Sequence, residues 1–337
     1  LFPGNPRMNK RVVLASYPEG WVTEGNFRLE SAPDPKPADG EVLVKNLWLS
    51  LDPYMRGRMS QQKSYVKGVE PGEVMTGETA GEVVESKHPK FKPGDKVTAP
   101  SGWQLYWAGK GEMLTKVDAS KVSLSYFLGC LGMPGRTAYF GMKDICQPKP
   151  GETVVVSAAS GAVGSVVGQL AKAWGCRAVG IAGGKAKCDY VTKELGFDAC
   201  VDYKAGDLYV QLKAACPKGV DALFENVGGE ILDTTLRLMN VRGRITICGL
   251  ISDYNAKEPY GVKMFRSILV NRLTVRGMIV FDWLERYPEA NQALLQLVTS
   301  GKLKYRESIV EGIENAPKGL IGLLKGENFG KQLVKLT

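Results

Sequence analysis

Residues 154–164 read Val154-Val155-Val156-Ser157-Ala158-Ala159-Ser160-Gly161-Ala162-Val163-Gly164. A β-branched apolar run passes into small residues and then into an apolar segment that extends to Trp174. That order predicts a buried strand, a tight turn and a helix from Gly161 to Trp174. Dinucleotide sites need this arrangement. Small residues let the backbone approach a pyrophosphate, and a helix N-terminus offers unbonded N–H donors at a positive dipole end. Ala159 stands where the usual G-x-G-x-x-G pattern has its first glycine. A bare strand–helix turn would share the glycines; the strand–turn–helix setting favours a nucleotide.

Downstream, strands and helices alternate. Strands are expected at Ala178–Ala182, Ala199–Asp202, Ala222–Glu225, Arg244–Cys248 and Leu273–Val280. Helices are expected at Lys185–Leu195, Leu208–Ala215, Ile231–Met239 and Trp283–Thr299. The alternation argues for an α/β fold with a doubly wound parallel sheet. Upstream, residues 10–127 read as short β-runs, among them Arg11–Ala15, Glu41–Leu51, Gly81–Glu85 and Lys96–Ala99. Asp39-Gly40, Pro71-Gly72 and Pro93-Gly94 punctuate them, which predicts a β-rich domain and a partly closed barrel. Tyr305–Val310 and Lys331–Leu336 turn β-like again and are expected to return to that domain. The expected division is 8–127 with 302–337, and 128–301. Leu1–Arg7 precede Met8 and are set aside as a candidate expression remnant.

The end of the second strand bears on the nucleotide. An NAD site wants an acidic residue about 20 positions after the turn, for the ribose 2′-hydroxyl. Here Ala182-Gly183-Gly184-Lys185-Ala186-Lys187 has no acid and two lysines. Lysines attract a 2′-phosphate that a carboxylate would repel, so NADP(H) is the expected cofactor.

Composition narrows the chemistry. Lysine and arginine number 44 against 35 acidic residues, giving +9, but the basic residues are scattered. This suits an anionic ligand and a solvated surface, not a nucleic-acid partner. Seven cysteines include no C-x-x-C pair, so a disulfide framework is not expected and a reducing, cytoplasmic setting fits. No secretory h-region or membrane-spanning apolar run is read. The single histidine, His88, lies in a loop before Pro89, and no cysteine cluster accompanies it. Neither a zinc site nor a Ser-His-Asp triad can be assembled readily from that inventory. Catalysis is then expected to rest on the cofactor, hydroxyls and backbone groups, through hydride transfer to an electrophilic carbon.

Several motifs together resemble the zinc-free medium-chain dehydrogenase/reductases: Ala158–Gly164, Leu51-Asp52-Pro53-Tyr54-Met55-Arg56, Leu131-Gly132-Met133-Pro134-Gly135, Phe224-Glu225-Asn226-Val227-Gly228-Gly229 and Asn328-Phe329-Gly330-Lys331. The closest groups are the alkenal double-bond, prostaglandin and curcumin (dihydrocurcumin) reductases. Ser101-Gly102-Trp103-Gln104 and Leu323-Leu324-Lys325-Gly326 lean toward the curcumin branch. Zinc-dependent relatives carry Gly-His-Glu where this chain has Gly77-Glu78.

The resemblance implies a GroES-like β-rich domain, a Rossmann-type domain and a homodimer paired through Leu273–Val280. It implies 2′-phosphate contacts from Gly183, Lys187 and Tyr203. Other implied cofactor contacts are Ala158 to Gly164, Asn226, and the loop Cys248, Gly249, Leu250, Ile251, Ser252, Asp253 and Tyr254. Met278, Ile279 and Val280 would face the nicotinamide, and Pro53, Tyr54 and Asn328 would reach it from the β-domain. The implied reaction is NADPH-dependent reduction of the C=C bond of 2-alkenals, enones or curcumin-like substrates, with hydride going to the β-carbon. The cofactor ribose hydroxyl and Tyr254, then Tyr54, are the candidates to steady the enolate oxygen or give the proton. Trp103, Tyr106 and Trp107 could line an aryl pocket or simply pack together. A quinone reductase of the same superfamily, or a non-catalytic NADPH-binding protein, shares these features and remains open.

Overall fold

The computed structural model describes residues 8–337; the segment Leu1–Arg7, set aside above, lies outside the described residues. The strands up to residue 150 are β1 (Met8–Leu14), β2 (Phe27–Pro33), β3 (Glu41–Ser50), β4 (Thr79–Ser86), β5 (Lys96–Ala99), β6 (Tyr106–Lys110) and β7 (Thr115–Lys116). They are followed by β8 (Thr153–Ser157), β9 (Arg177–Ala182), β10 (Ala199–Asp202), β11 (Val220–Glu225), β12 (Met239–Ile247) and β13 (Thr274–Gly277). The last two are β14 (Glu307–Glu311) and β15 (Lys331–Lys335). The helices are α1 (Met55–Arg58), α2 (Met133–Phe140), α3 (Gly164–Ala173), α4 (Lys185–Lys193) and α5 (Leu208–Ala215). Then come α6 (Gly229–Leu236), α7 (Arg266–Val270), α8 (Tyr287–Thr299) and α9 (Ala316–Leu324). None of the described helices is long and apolar enough to cross a membrane.

The chain divides into two compact units. The first holds residues up to Leu128, Glu307–Asn328 and Gln332–Thr337. Its main sheet runs β14-β15-β3-β4-β5-β7. Strand β3 is long enough to take two partners on one edge, with Glu41–Lys45 on β6 and Trp48–Ser50 on β15, while β4 covers the other edge. Its ladder with β4 is irregular around Asn46. Buried Asn46 meets its needs there, donating to the Gln104 carbonyl at 2.9 Å and accepting from Thr79 and Ser101 at 2.8 and 3.1 Å. Such pairing is what lets a polar group sit in a core.

The second unit holds Gly129–Arg306 and Phe329–Lys331. Its six-stranded sheet runs β10-β9-β8-β11-β12-β13 with every pair parallel. That is the doubly wound order, with the switch point between β8 and β11. Every residue of β8 is buried, as a central strand covered by helices on both faces requires. Val155, Val179, Leu223 and Ile245 form the layer's centre. Fully burying each such side chain stabilises the sheet by about 1.5–3 kcal/mol.

Several expected boundaries move. The helix expected from Gly161 begins at Gly164, because Ala158–Val163 form the turn: Ala158 sits at φ 49° and accepts from the Gly161 N–H at 3.0 Å. The strand expected over Leu273–Val280 stops at Gly277. Met278 still donates to the Ile247 carbonyl, but Ile279 already accepts from the Asp282 N–H and Val280 opens a 3-10 turn. That turn contains Trp283, so α8 starts only at Tyr287, with Pro288 in its first turn. Met239, expected to end a helix, opens β12 instead. Helices α1, α2, α7 and α9 escaped the reading altogether. Pro134 and Pro317 sit in first turns, where a missing N–H costs nothing, yet each looks like a breaker in isolation.

Candidate active site

The cradle lies where β8 ends. Ala159 N–H donates to the Ile181 carbonyl at 3.1 Å, tying the turn to β9. A Cβ on Gly164 would overlap the Ala158 carbonyl oxygen, and one on Gly180 would press on Ala159 and Val191, so both glycines permit close helix–sheet packing. A Cβ on Gly161 would meet only the Ala158 oxygen, at 3.2 Å, and otherwise project into open space. The N–H groups of Ala162, Val163 and Gly164 have no backbone partner among the described residues. Open space in front of unbonded donors at a helix start suits a phosphate. A second strand of chain seals the turn: Gly161 and Gly330 form a parallel bridge. Gly330, at φ 75°, leaves no room for a side chain against the Arg306 carbonyl. Phe329 beside it is held under the Arg306 guanidinium at 3.8 Å and edge-on to Tyr190 at 5.0 Å. Asn328, half-buried, ends the neighbouring segment of the first unit.

At the ends of β9 and β10 the charges are arranged differently from the reading above. Lys185 is exposed and ion-paired with Asp189 at 2.6 Å. Lys187 is half-buried, and its pKa is lowered first by that burial and then by the charge of Lys204. Lys204 and Tyr203 both close over Gly183, where a Cβ would come within 3.0 Å of the lysine and 2.9 Å of the phenol oxygen. Asp202 is not a ribose acid pointing into this space; its Oδ1 accepts from the Gly184 and Lys204 amides at 2.8 and 2.9 Å and shapes the loop. Two ammonium groups that repel each other beside this strand end suit a dianion. Lys204 was missed because it follows the third strand, outside the window in which the acid is sought.

The β11 end carries a buried network. Glu225 is fully buried, and Ser157 donates to its Oε1 together with the Val227 and Gly228 amides. Asn226 receives its place from the same strands, donating from its amide N to Ser157 Oγ and from Nδ2 to the Ser157 carbonyl. Burial pushes the Glu225 carboxyl above its ordinary range, against those three donors, which favour the charged form. A raised folded-state pKa gives stability that is complete below the unfolded value and is lost as pH rises through the folded one. Wild-type protein is therefore expected to lose melting temperature over part of the range from about pH 4 to pH 9, and Glu225→Gln to flatten that slope. Thermal unfolding of both across that range checks it, and identical slopes would acquit Glu225.

The loop after β12 packs over the β11 turn. Cys248 and Gly249 donate to the Glu225 carbonyl, and Ser252 Oγ donates to Val227 O at 2.6 Å. Asp253 Oδ1 accepts from the Tyr260 N–H at 3.3 Å, and Ile251 donates to Asn226 O. Burial, with Glu225 adding to it, pushes the Cys248 thiol up to about 12, so it is no nucleophile at neutral pH. Tyr254 folds back onto its own loop; its hydroxyl accepts from the Leu250 N–H at 3.2 Å and lies over Gly249. Met278 and Val280 are buried, with Ile279 half-buried between them. In the first unit, Pro53 and Tyr54 start α1, with Tyr54 packed on the core and the Arg58 guanidinium 5.1 Å from its ring. Burial, then the charges of Asp52 and Glu78, raises the Tyr54 pKa, so its phenol can donate a hydrogen bond but cannot act as a base.

Trp103 does not line a pocket. It is fully buried and stacks on Phe27 with centroids 5.3 Å apart. Tyr106 is buried too, and Trp107 folds over Gly109 against a separate apolar cluster. His88 packs on Gly111 and reaches Glu112 at 3.3 Å. Among the described residues, no three His, Cys, Asp or Glu side chains gather as a metal site would need.

Known proteins place the chain. Residues 10–117 match the family described as "N-terminal domain of oxidoreductase", and residues 162–299 match "Zinc-binding dehydrogenase". The NADPH-dependent curcumin reductase of Escherichia coli is 48% identical over 98% of this chain and 97% of its own length. The NADP(+)-dependent 2-alkenal reductase of Nicotiana tabacum is 43% identical over 98% of each chain. The crystal structure of CurA in complex with NADPH from Vibrio vulnificus superposes with a TM-score of 0.93 at 47% identity, covering 97% of this chain and 99% of that one. The fold is thus a GroES-like β-rich domain with a Rossmann-type parallel sheet. Alike along nearly its whole length to such reductases, the chain belongs to the medium-chain dehydrogenase/reductase superfamily, in its alkenal, prostaglandin and curcumin reductase group.

Proposed function

We propose that this protein is an NADPH-dependent reductase of the C=C bond in α,β-unsaturated ketones and aldehydes. The observation that carries the reading is that Lys187 and Lys204 lie within electrostatic reach of each other, with Lys204 packed against Gly183 after β9. The relatives support it, since they include an NADPH-dependent curcumin reductase and an NADP(+)-dependent 2-alkenal reductase. The bound dinucleotide supplies the hydride. Ala158 to Gly164 cradle its pyrophosphate, while Gly183, Lys187, Tyr203 and Lys204 hold its 2′-phosphate. Asn226, the loop Cys248–Tyr254 and the backbone of Met278 to Val280 position the nicotinamide. Tyr254 holds the enolate oxygen, because its hydroxyl is anchored by the Leu250 amide and a hydroxyl can accept and donate at once. A fixed donor at such an oxygen needs no reorganisation during reaction. The test is NADPH oxidation against a 2-alkenal, an aryl enone, curcumin and a benzoquinone. Turnover of the conjugated carbonyls is expected; turnover of the quinone alone would overturn the reading.

We also propose a homodimer through β13. Every residue of this edge strand is exposed, and Phe265, Leu269, Val270, Phe281 and Leu284 expose further apolar surface nearby in sequence. An uncovered sheet edge flanked by exposed apolar residues invites pairing with another strand. Val275→Asp with Leu269→Asp is expected to give monomers in light scattering after size exclusion; an unchanged dimer mass would exclude this face. A reducing, cytoplasmic setting is consistent with seven cysteines of which none is disulfide-bonded in the structure.

A further inference from the structure

Cys188 and Cys200 come from different elements, yet the fold brings them together. Cys200 pairs with Gly180 in the β10–β9 ladder, and neighbours in a parallel ladder point to the same face. That face is covered by α4: a Cβ on Gly180 would touch Val191 of this helix at 3.2 Å. Cys188 precedes Val191 by three residues and therefore lies on the same side of α4. The two thiols are joined by a side-chain hydrogen bond. Both are partly solvent-accessible, whereas Cys146, Cys176 and Cys216 are buried.

We propose that Cys188 and Cys200 form a peroxide-sensitive dithiol that closes to a disulfide and loosens the dinucleotide site. The chemistry is available because the thiols differ. The Cys200 hydrogen bond is the main cause lowering the Cys188 pKa, while burial raises those of Cys146, Cys176, Cys216 and Cys248. A thiolate with an adjacent resolving thiol is the arrangement of redox-sensing cysteines. The Cys188 thiolate attacks a hydroperoxide: an S–O bond forms, the O–O bond breaks, and the alcohol leaves with a solvent proton. The Cys200 sulfur then attacks the Cys188 sulfur: the S–S bond forms, the S–O bond breaks, and water leaves with the Cys200 proton. The two sulfurs together lose two electrons, which the peroxide takes up.

Closure must move the helix. Two thiols in hydrogen-bond contact lie farther apart than the about 2.05 Å of a disulfide. Pulling the first turn of α4 toward β10 displaces Lys187, the next residue. It also strains the end of β10, where Asp202 holds the Gly184 and Lys204 amides.

Bridge formation stands independently of the functional reading; its effect on NADPH binding rests on it. Full-length protein is treated with hydrogen peroxide, peptide-mapped without reduction, and titrated with NADPH by calorimetry before and after dithiothreitol. A 188–200 bridge is expected, with roughly 10-fold weaker NADPH binding that dithiothreitol restores. Cys188→Ser and Cys200→Ser, each reduced, should bind NADPH like the wild type and ignore peroxide. Absence of the 188–200 peptide pair would overturn the proposal. A bridge with unchanged NADPH affinity would overturn the coupling. A bridge in protein that never bound NADPH would instead count against the cofactor reading and leave the dithiol standing.

Discussion

Replacing Lys187 and Lys204 together by alanine is expected to weaken NADPH binding about 100-fold while leaving NADH nearly untouched. A hydrogen bond between charged groups contributes about 1.5–3 kcal/mol, and two of them sharing one phosphate need supply only about 2.7 kcal/mol for that ratio. The asymmetry between the coenzymes is the informative part, because NADH lacks the group that the lysines meet. Lys187 is half-buried, and burial and then the like charge of Lys204 lower its pKa. An anion between the two relieves that repulsion. Lys185→Ala is the control: its ammonium already serves Asp189 on the surface, so it should change neither coenzyme's affinity appreciably. Calorimetric titration of the three variants with both coenzymes decides the matter. Equal losses for NADPH and NADH would remove the lysines from 2′-phosphate recognition.

Tyr254→Phe is expected to lower kcat on a good enone by about 100-fold with little change in the KM for NADPH. Loss of one fixed donor at a developing oxyanion typically costs about 10²–10³ in rate. The substitution also frees the Leu250 amide from its 3.2 Å bond to the phenol oxygen, so a purely structural role is the competing account. The two accounts predict different kinetics. A loosened loop would release Gly249 and its neighbours and raise KM for the coenzyme, whereas a lost donor lowers kcat alone. Wild-type kcat in the variant would exclude Tyr254 and pass the role to Tyr54, whose phenol is kept protonated by burial and by two nearby carboxylates.

The central half of the fold was legible in the sequence because its signals are local. A strand buried on both faces shows as an unbroken apolar run, and Val154-Val155-Val156 announces β8. The strand Ala199–Asp202 and helix Leu208–Ala215 appear with the bounds their patterns suggest. The small-residue turn after β8 likewise identified the cradle, since only small residues let a helix start so close to a strand end.

What the sequence could not supply is which charges and hydroxyls meet. Lys185 and Lys187 look equivalent in Gly184-Lys185-Ala186-Lys187, yet helix geometry sends one to Asp189 and the other toward Lys204. Trp103 belongs to a core rather than a pocket because Phe27, distant in the chain, stacks on it. The Ser157–Glu225 contact, the Gly161–Gly330 bridge and the Cys188–Cys200 pair each join residues from separate elements. Local pattern thus determined the strands, the parallel sheet and the small-residue turn after β8, because backbone preference and burial act over a few residues. Tertiary structure alone decided the electrostatics of the site, because Coulomb forces and hydrogen bonds depend on distance in space and not on separation along the chain.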